Sequence, residues 1–278
     1  MDEISRRRRL AEQIAPAYAA NPKVAAVLLA GSVARGTADR FSDIEIDVYW
    51  HQPPSEADRM APILANGWDL LYQHVDDYEW ADGFYIAGVK VDTSQFLVST
   101  LDQWIADVVE RADMEVEKQI RITALQHGQP LANPALIERW RAQAEHYPAA
   151  LQRAMLAEHL WFKPRMELEM LAARDNALLL HRNLHDASQR IMDVLHALNE
   201  LYLPHPYHKW LDWEIARMAI APPQLAERLR SLLRAAPEPS VAQLHALIEE
   251  VFALVEQHLP GYDTGAARAE FGIQRVKA

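Results

Sequence analysis

Three acids stand at alternate positions in Asp43-Ile-Glu-Ile-Asp47. In an extended strand, alternate side chains share a face, so Asp43, Glu45, Asp47 and Tyr49 point one way and Ile44, Ile46, Val48 and Trp50 the other. Two strand rises put neighbouring carboxylates about 6–7 Å apart. Their tips can then converge on a divalent cation; uncompensated, they repel. Strands favour β-branched and aromatic residues, so this density of acid has two readings, a solvated edge strand or a metal-binding face.

Upstream, an apolar run from Val24 to Ala30 ends in Gly31-Ser32, and ten residues lie between Ser32 and Asp43. Glycine lets backbone N–H groups approach phosphate oxygens, and a helix starting there adds partial positive charge. Gly31 and Ser32 are therefore candidates to cradle phosphate. Arg35 and Lys90 are candidate phosphate contacts, each weighed against a plain surface cation.

The elements that must position these residues are short and alternate in type. Residues 1–20 read as a helix, closed by the turn signal Asn21-Pro22. Val24 to Ala30 has strand length and the continuous apolarity of a strand buried on both faces. Asp43 to Trp50 is the acidic strand, His51-Gln-Pro-Pro54 closes it, and Ser55 caps a short helix to about Ala65. Residues 67–82 are weakly patterned. Phe84 to Val98 reads as two strands turning near Gly88. The second, from Val89, puts Lys90, Asp92, Ser94 and Phe96 on one face. From about Thr100 the spacing becomes helical, with helices expected over 151–161, 177–199, 208–220, 222–235 and 240–258. Along 177–199, Leu180, Leu184, Ala187, Ile191, Val194 and Leu198 make one apolar stripe, ended by Pro204 and Pro206. The expected organisation is α+β: a small sheet domain over residues 1–105, then a C-terminal helical bundle over 106–278.

Composition narrows the class. The 278 residues are 50% hydrophobic and 24% charged, ordinary for a globular protein. Val24 to Ala30 is far shorter than the ~18–20 apolar residues that span a bilayer. Arg6 to Arg9 imitate the start of a secretory signal, but Glu12, Gln13 and Pro16 interrupt what would be its apolar region. With no cysteine, disulfides, thiolate zinc sites and cysteine nucleophiles are excluded. A cytoplasmic setting is expected, with no membrane partner. Twenty-eight Lys and Arg against 39 Asp and Glu give a net charge of −11, an excess of acid found in both halves. That balance argues against a protein built to grip nucleic acid. The Arg6–Arg9 run reads as the solvated face of the first helix.

Leu28-Leu-Ala-Gly-Ser-Val-Ala-Arg-Gly-Thr37 followed by Ser42-Asp-Ile-Glu-Ile46 resembles the signature of the nucleotidyltransferase superfamily. The likeness is nearest to its aminoglycoside and lincosamide (kanamycin-type) branch and to bacterial relatives. It covers residues 28–50 well and 89–98 moderately, and beyond Thr100 extends to architecture alone. The resemblance implies a mixed-sheet catalytic domain and a third acid on a neighbouring strand, a role that falls to Asp92, with Asp47 the competitor. It implies Mg²⁺ on Asp43, Glu45 and Asp92, with a nucleoside triphosphate, ATP first, as substrate. Asp92 would also serve as general base on a hydroxyl acceptor. It further implies that a lysine of the helical half, matched here by Lys209, reaches the triphosphate, and that Glu167 or Glu169 approaches the acceptor.

The reaction so implied moves an NMP, AMP in the first instance, to a small-molecule hydroxyl and releases pyrophosphate. The acidic charge suits an aminoglycoside-like polycation. A protein acceptor and a non-catalytic nucleotide sensor are the alternatives, and a homo-oligomer remains open. His181 and His185, at i and i+4, have zinc-ligand spacing but no third ligand at a recognisable distance, and read as polar-face residues.

Overall fold

A computed structural model describes residues 2–274, with no helix long and apolar enough to cross a membrane among them. It divides into two compact units, one formed by residues up to 110 with 120–146, the other by 111–119 with residues from 147 on.

The first unit is built on a six-stranded mixed sheet. In chain order it runs α1 (Glu3–Ala19), β1 (Val24–Ala30), α2 (Gly31–Arg35), β2 (Ile44–Trp50), α3 (Glu56–Ala65), β3 (Asp69–Val75), β4 (Trp80–Ile86), β5 (Val89–Leu97), α4 (Val98–Arg111), α5 (Val116–His127), β6 (Gln129–Ala132) and α6 (Pro134–Gln143). Residues 111–119, at the α4–α5 junction, belong to the second unit. Strand order is β3-β4-β5-β2-β1-β6, with β2 and β5 parallel and the other neighbours antiparallel.

The acidic strand is thus central, hydrogen-bonded on both sides, and the edge-strand reading fails. On its apolar face Ile44, Ile46, Val48 and Trp50 are fully buried. They pack with Val27, Leu29, Phe84 and Val91 of the sheet and with Ala11, Ile14 and Tyr18 of α1 and Ile63 of α3. Each large side chain so buried contributes roughly 1.5–3 kcal/mol. Ser55 caps α3 as its sequence implies, in a capping box with Asp58.

Two features depart from the sequence reading. The sheet does not end near residue 105, because β6 adds a strand beside β1, and Trp140 of α6 meets Tyr49 edge-on at 4.8 Å. The basic run is not wholly solvated either. Arg7 is buried, donating to the backbone oxygens of Ser42 at 2.7 Å and Arg40 at 3.2 Å and pairing with Glu3.

The second unit is helical: α7 (Ala149–His159), α8 (Arg165–Ala173), α9 (Ala177–Leu198), α10 (Leu211–Ile215), α11 (Leu225–Leu232), α12 (Pro237–His258) and α13 (Gly265–Phe271). The stripe of α9 packs inward as its spacing implies, with Leu180, Leu184, Ile191, Val194 and Leu198 buried. The helix expected over 208–220 is reduced to one short turn. His208 lies at φ +47, and a Glu214 carboxylate oxygen, rather than a helical carbonyl, accepts from the Trp210 amide.

Candidate active site

The parallel register of β2 and β5 aligns Glu45 with Asp92, Asp47 with Ser94 and Tyr49 with Phe96. Aligned residues on neighbouring strands share a face, so Asp92 stands beside Glu45 across one strand spacing. Lys90, two residues before Asp92 on the same face, places its ammonium 2.7 Å from Asp92 Oδ2 and 3.8 Å from Asp43 Oδ2. Tyr72 of β3 donates its hydroxyl to Asp92 Oδ1 at 2.8 Å. Its ring crosses β4 over Gly83, where any Cβ would collide with it.

The electrostatics follow from crowding. Burial, then the hydrogen bond and charge of Asp92, raise the Asp43 pKa; Lys90 opposes them. Burial works against the Lys90 ammonium, but Asp92 and Asp43 outweigh it and raise its pKa. Asp47 is more deeply placed, 2% exposed. Burial pushes its pKa up to about 7, with Glu45 and Glu79 adding to the rise and the Arg121 charge and Tyr49 hydrogen bond opposing it. Tyr49 donates to Asp47 Oδ2 at 3.1 Å, and the Arg121 guanidinium lies 3.8 Å from Asp47, 3.6 Å from Glu79 and over the Phe96 ring.

Gly31 closes the end of β1, where Ala30 pairs with Glu45. Its φ of +66 is a left-handed conformation, and a Cβ there would run into the Glu45 carboxylate. Ser32 is buried, and its carbonyl accepts from the Thr37 amide at 2.9 Å. Arg35 ends the five-residue α2, whose N-terminus carries no side-chain cap. The turn before Asp43 is closed by Asp39, which accepts from the Phe41 amide at 2.9 Å and the Ser42 hydroxyl at 3.1 Å.

Asp43, Glu45, Asp92, Gly31 and Ser32 thus gather at one end of the sheet, with Asp47 deeper on the same face. An all-oxygen set of carboxylates suits Mg²⁺, and an ammonium drawn among them shows a face that attracts positive charge. In the second unit, Lys209 is exposed, with its ammonium 5.2 Å from the Trp210 ring centre. Glu167 pairs with Lys163, and Glu169 lies 4.0 Å from His245. His181 and His185 are exposed on α9. Sequence reasoning missed Arg121, Tyr72 and Arg7. Arg121 comes from a helix far along the chain and Tyr72 from the weakly patterned stretch, so neither left a local signal. Arg7 was hidden among like neighbours.

Two known family models match parts of the chain. Residues 11–131 match the family model described as "Nucleotidyltransferase domain", and residues 114–211 match one described as "Domain of unknown function (DUF4037)". Residues 11–131, which include Gly31, Ser32, Asp43, Glu45 and Asp92, are thus similar to a nucleotidyltransferase domain, which supports the superfamily that the signature resembles. No curated protein matches it significantly. Among solved structures, it is similar to a nucleotidyltransferase-like protein from Exiguobacterium sibiricum 255-15, with 14% identity and a TM-score of 0.40 over 89% of this chain and 78% of that one. It is also similar to a cytoplasmic RNA terminal U-transferase, with 13% identity and a TM-score of 0.29 over 44% of this chain and 38% of that one.

Proposed function

We propose that the chain transfers a nucleoside monophosphate, AMP from ATP first among them, to a hydroxyl of a small cytoplasmic acceptor in a Mg²⁺-dependent reaction. The observation that supports this reading is the β2–β5 register, with Glu45 and Asp92 side by side and Asp43 beside them. In this reading Asp43, Glu45 and Asp92 hold the metal, which when bound supplies positive charge against the triphosphate. Gly31 and Ser32 hold the β- and γ-phosphates, with Arg35 and Lys90 as further phosphate contacts. Asp92 takes the proton of the acceptor hydroxyl. The acceptor oxygen bonds to the α-phosphorus, and the bond from that phosphorus to pyrophosphate breaks.

Acceptor choice falls to the residues from 106 onward, since the carboxylate face supplies chemistry common to any hydroxyl. The net charge of −11 favours a polycation, and an aminoglycoside is the acceptor to try first. The test is pyrophosphate release from each Mg²⁺-nucleoside triphosphate against a panel of hydroxylated acceptors, with Asp43→Asn/Glu45→Gln as the metal-blind control. The expected result is acceptor-dependent release, greatest with ATP and absent from the control. Release that persists in the control would overturn the metal assignment, and failure with every aminoglycoside would remove the kanamycin-type reading.

A further inference from the structure

A second cluster of chemistry-bearing residues lies wholly within the helical unit. Asp193 and His196 sit one turn apart near the end of α9, His208 follows Pro206-Tyr207, and Glu214 comes from α10. His196 and Glu214 are fully buried, and His208 is held at φ +47, a conformation few non-glycine residues adopt.

The hydrogen bonds assign the protons. His196 Nδ1 lies 2.9 Å from the Met192 carbonyl oxygen, which can only accept, so Nδ1 carries the proton. In the neutral tautomer with its proton there, Nε2 is a bare lone pair. It makes no hydrogen bond and lies 3.5 Å from Glu214 Oε2, itself an acceptor. The same Oε2 is 2.7 Å from His208 Nδ1, while His208 Nε2 is 3.1 Å from Asp193 Oδ1. With a carboxylate on each nitrogen, His208 is an imidazolium, which accounts for Glu214 and Asp193. It leaves His196 Nε2 facing another acceptor in the interior, a cost with no return if the cluster is only an ion pair.

We propose that His196 Nε2, His208 Nδ1 and Glu214 Oε2 form a binding site for one divalent transition-metal ion of the zinc class. These three atoms all lie within 4.8 Å of one another. Metal–ligand bonds of ~2.0–2.2 Å in tetrahedral array hold ligand atoms roughly 3.3–3.5 Å apart, the separation already present between His196 and Glu214. The shorter His208–Glu214 contact opens when the ion takes the place of the shared proton. Each ligating imidazole is oriented through its other nitrogen, His196 by the Met192 carbonyl and His208 by Asp193, the outer-shell pattern of metal-bound histidines.

Charge closes as well. Imidazolium, Glu214 and Asp193 together carry one negative charge; replacing the His208 Nδ1 proton with a divalent ion leaves the set neutral. Two imidazoles and one carboxylate favour zinc-like ions over the Mg²⁺ expected at the acidic face. His208 and Met192 form part of the wall of a cavity of about 180 Å³, a way in for the ion. The site ties α9, the segment after it and α10 together, and it is independent of the carboxylate face.

The experiment uses the full chain, stripped with a chelator and titrated with Zn²⁺ alone, and separately with Co²⁺ for its visible spectrum. The expected result is one ion per chain, tetrahedral-type Co²⁺ bands and a higher melting temperature with Zn²⁺. Asp193→Asn, which loosens His208 without removing a ligand, should weaken Zn²⁺ binding about 10–100-fold, and His196→Gln should weaken it at least as much. His181→Ala, which removes an exposed histidine of α9 that does not line the cavity, should leave binding unchanged. Absence of Co²⁺ bands in the parent chain overturns the proposal, as does binding lost with His181. If His196→Gln does not fold, an unchanged Zn²⁺ affinity in Asp193→Asn overturns it.

Discussion

Lys90 offers one ammonium to two carboxylates, and Asp43 receives the weaker share, 3.8 Å against 2.7 Å for Asp92. The Asp43 pKa is raised in the folded chain, so its protonated form is favoured there. Stability from this group is fully present below its ordinary value of 3.8 and lost as pH rises through the raised value. Near neutral pH the folded chain therefore carries a buried charge and a repulsion by Asp92 that Asp43→Asn relieves. We expect that variant to melt at a higher temperature than the parent without divalent metal, and to lose the further rise that Mg²⁺-ATP gives the parent. A lower metal-free melting temperature would contradict the argument. Asp47 follows the same sign over a wider window, contributing stability below 3.8 that disappears as pH rises to about 7. Asp47→Asn should flatten the stability profile across that window, while Arg121 keeps Glu79 at 3.6 Å. The two acids also divide the proton-transfer question. If Asp92 is the base, Asp92→Asn lowers turnover about 10²–10⁴-fold while nucleotide binding is largely spared. Equal turnover by Asp92→Asn and parent would move the base to Asp47.

At the scale of the element, the site depends on two entries into β2. From one side the β1–α2 corner brings Gly31 against Glu45; from the other the turn at 39–42 delivers Asp43. Buried Arg7 holds that turn by two of its carbonyl oxygens. Arg7→Met should cost roughly 1.5–3 kcal/mol per lost charged hydrogen bond and raise KM for the nucleotide more than it changes the fold. Thermal melts and steady-state kinetics check it; an unchanged KM would mean that the turn holds itself. The split in β2 between Ile-Ile-Val-Trp and the acids was legible because strand periodicity is local. So was the short helix capped by Ser55, since a capping box spans four residues. Arg7 was not, because helical spacing alone does not tell which of four consecutive arginines meets a loop more than 30 residues later. Tyr72 was equally hidden. Its partner Asp92 lies two strands away, and only the open space over Gly83 lets its hydroxyl reach across.

At the scale of the whole molecule, the chain leaves the sheet unit after residue 110, gives residues 111–119 to the helical unit, returns at 120 and leaves again after 146. The change to helical spacing near Thr100 marks a change of secondary structure, and the unit continues beyond it. The return was illegible because β6 is four residues long and contains Pro130, a pattern too short to separate from a loop and suited to a sheet edge. A chain ending at residue 105 would lose β6 from the edge of β1, Trp140 from Tyr49 and Arg121 from Asp47. That leaves the backbone of β1 unpaired along one side and removes the positive charge that favours ionisation of Asp47. A chain ending at residue 146 keeps all three. We expect the longer truncation to melt cooperatively and the shorter one to show no cooperative transition, with circular dichroism against temperature as the measurement. Mg²⁺-ATP should raise the melting temperature of the 146-residue chain, since Gly31, Asp43, Glu45 and Asp92 all lie within it. Cooperative melting by the 105-residue chain would show that β1 needs no partner on its outer side.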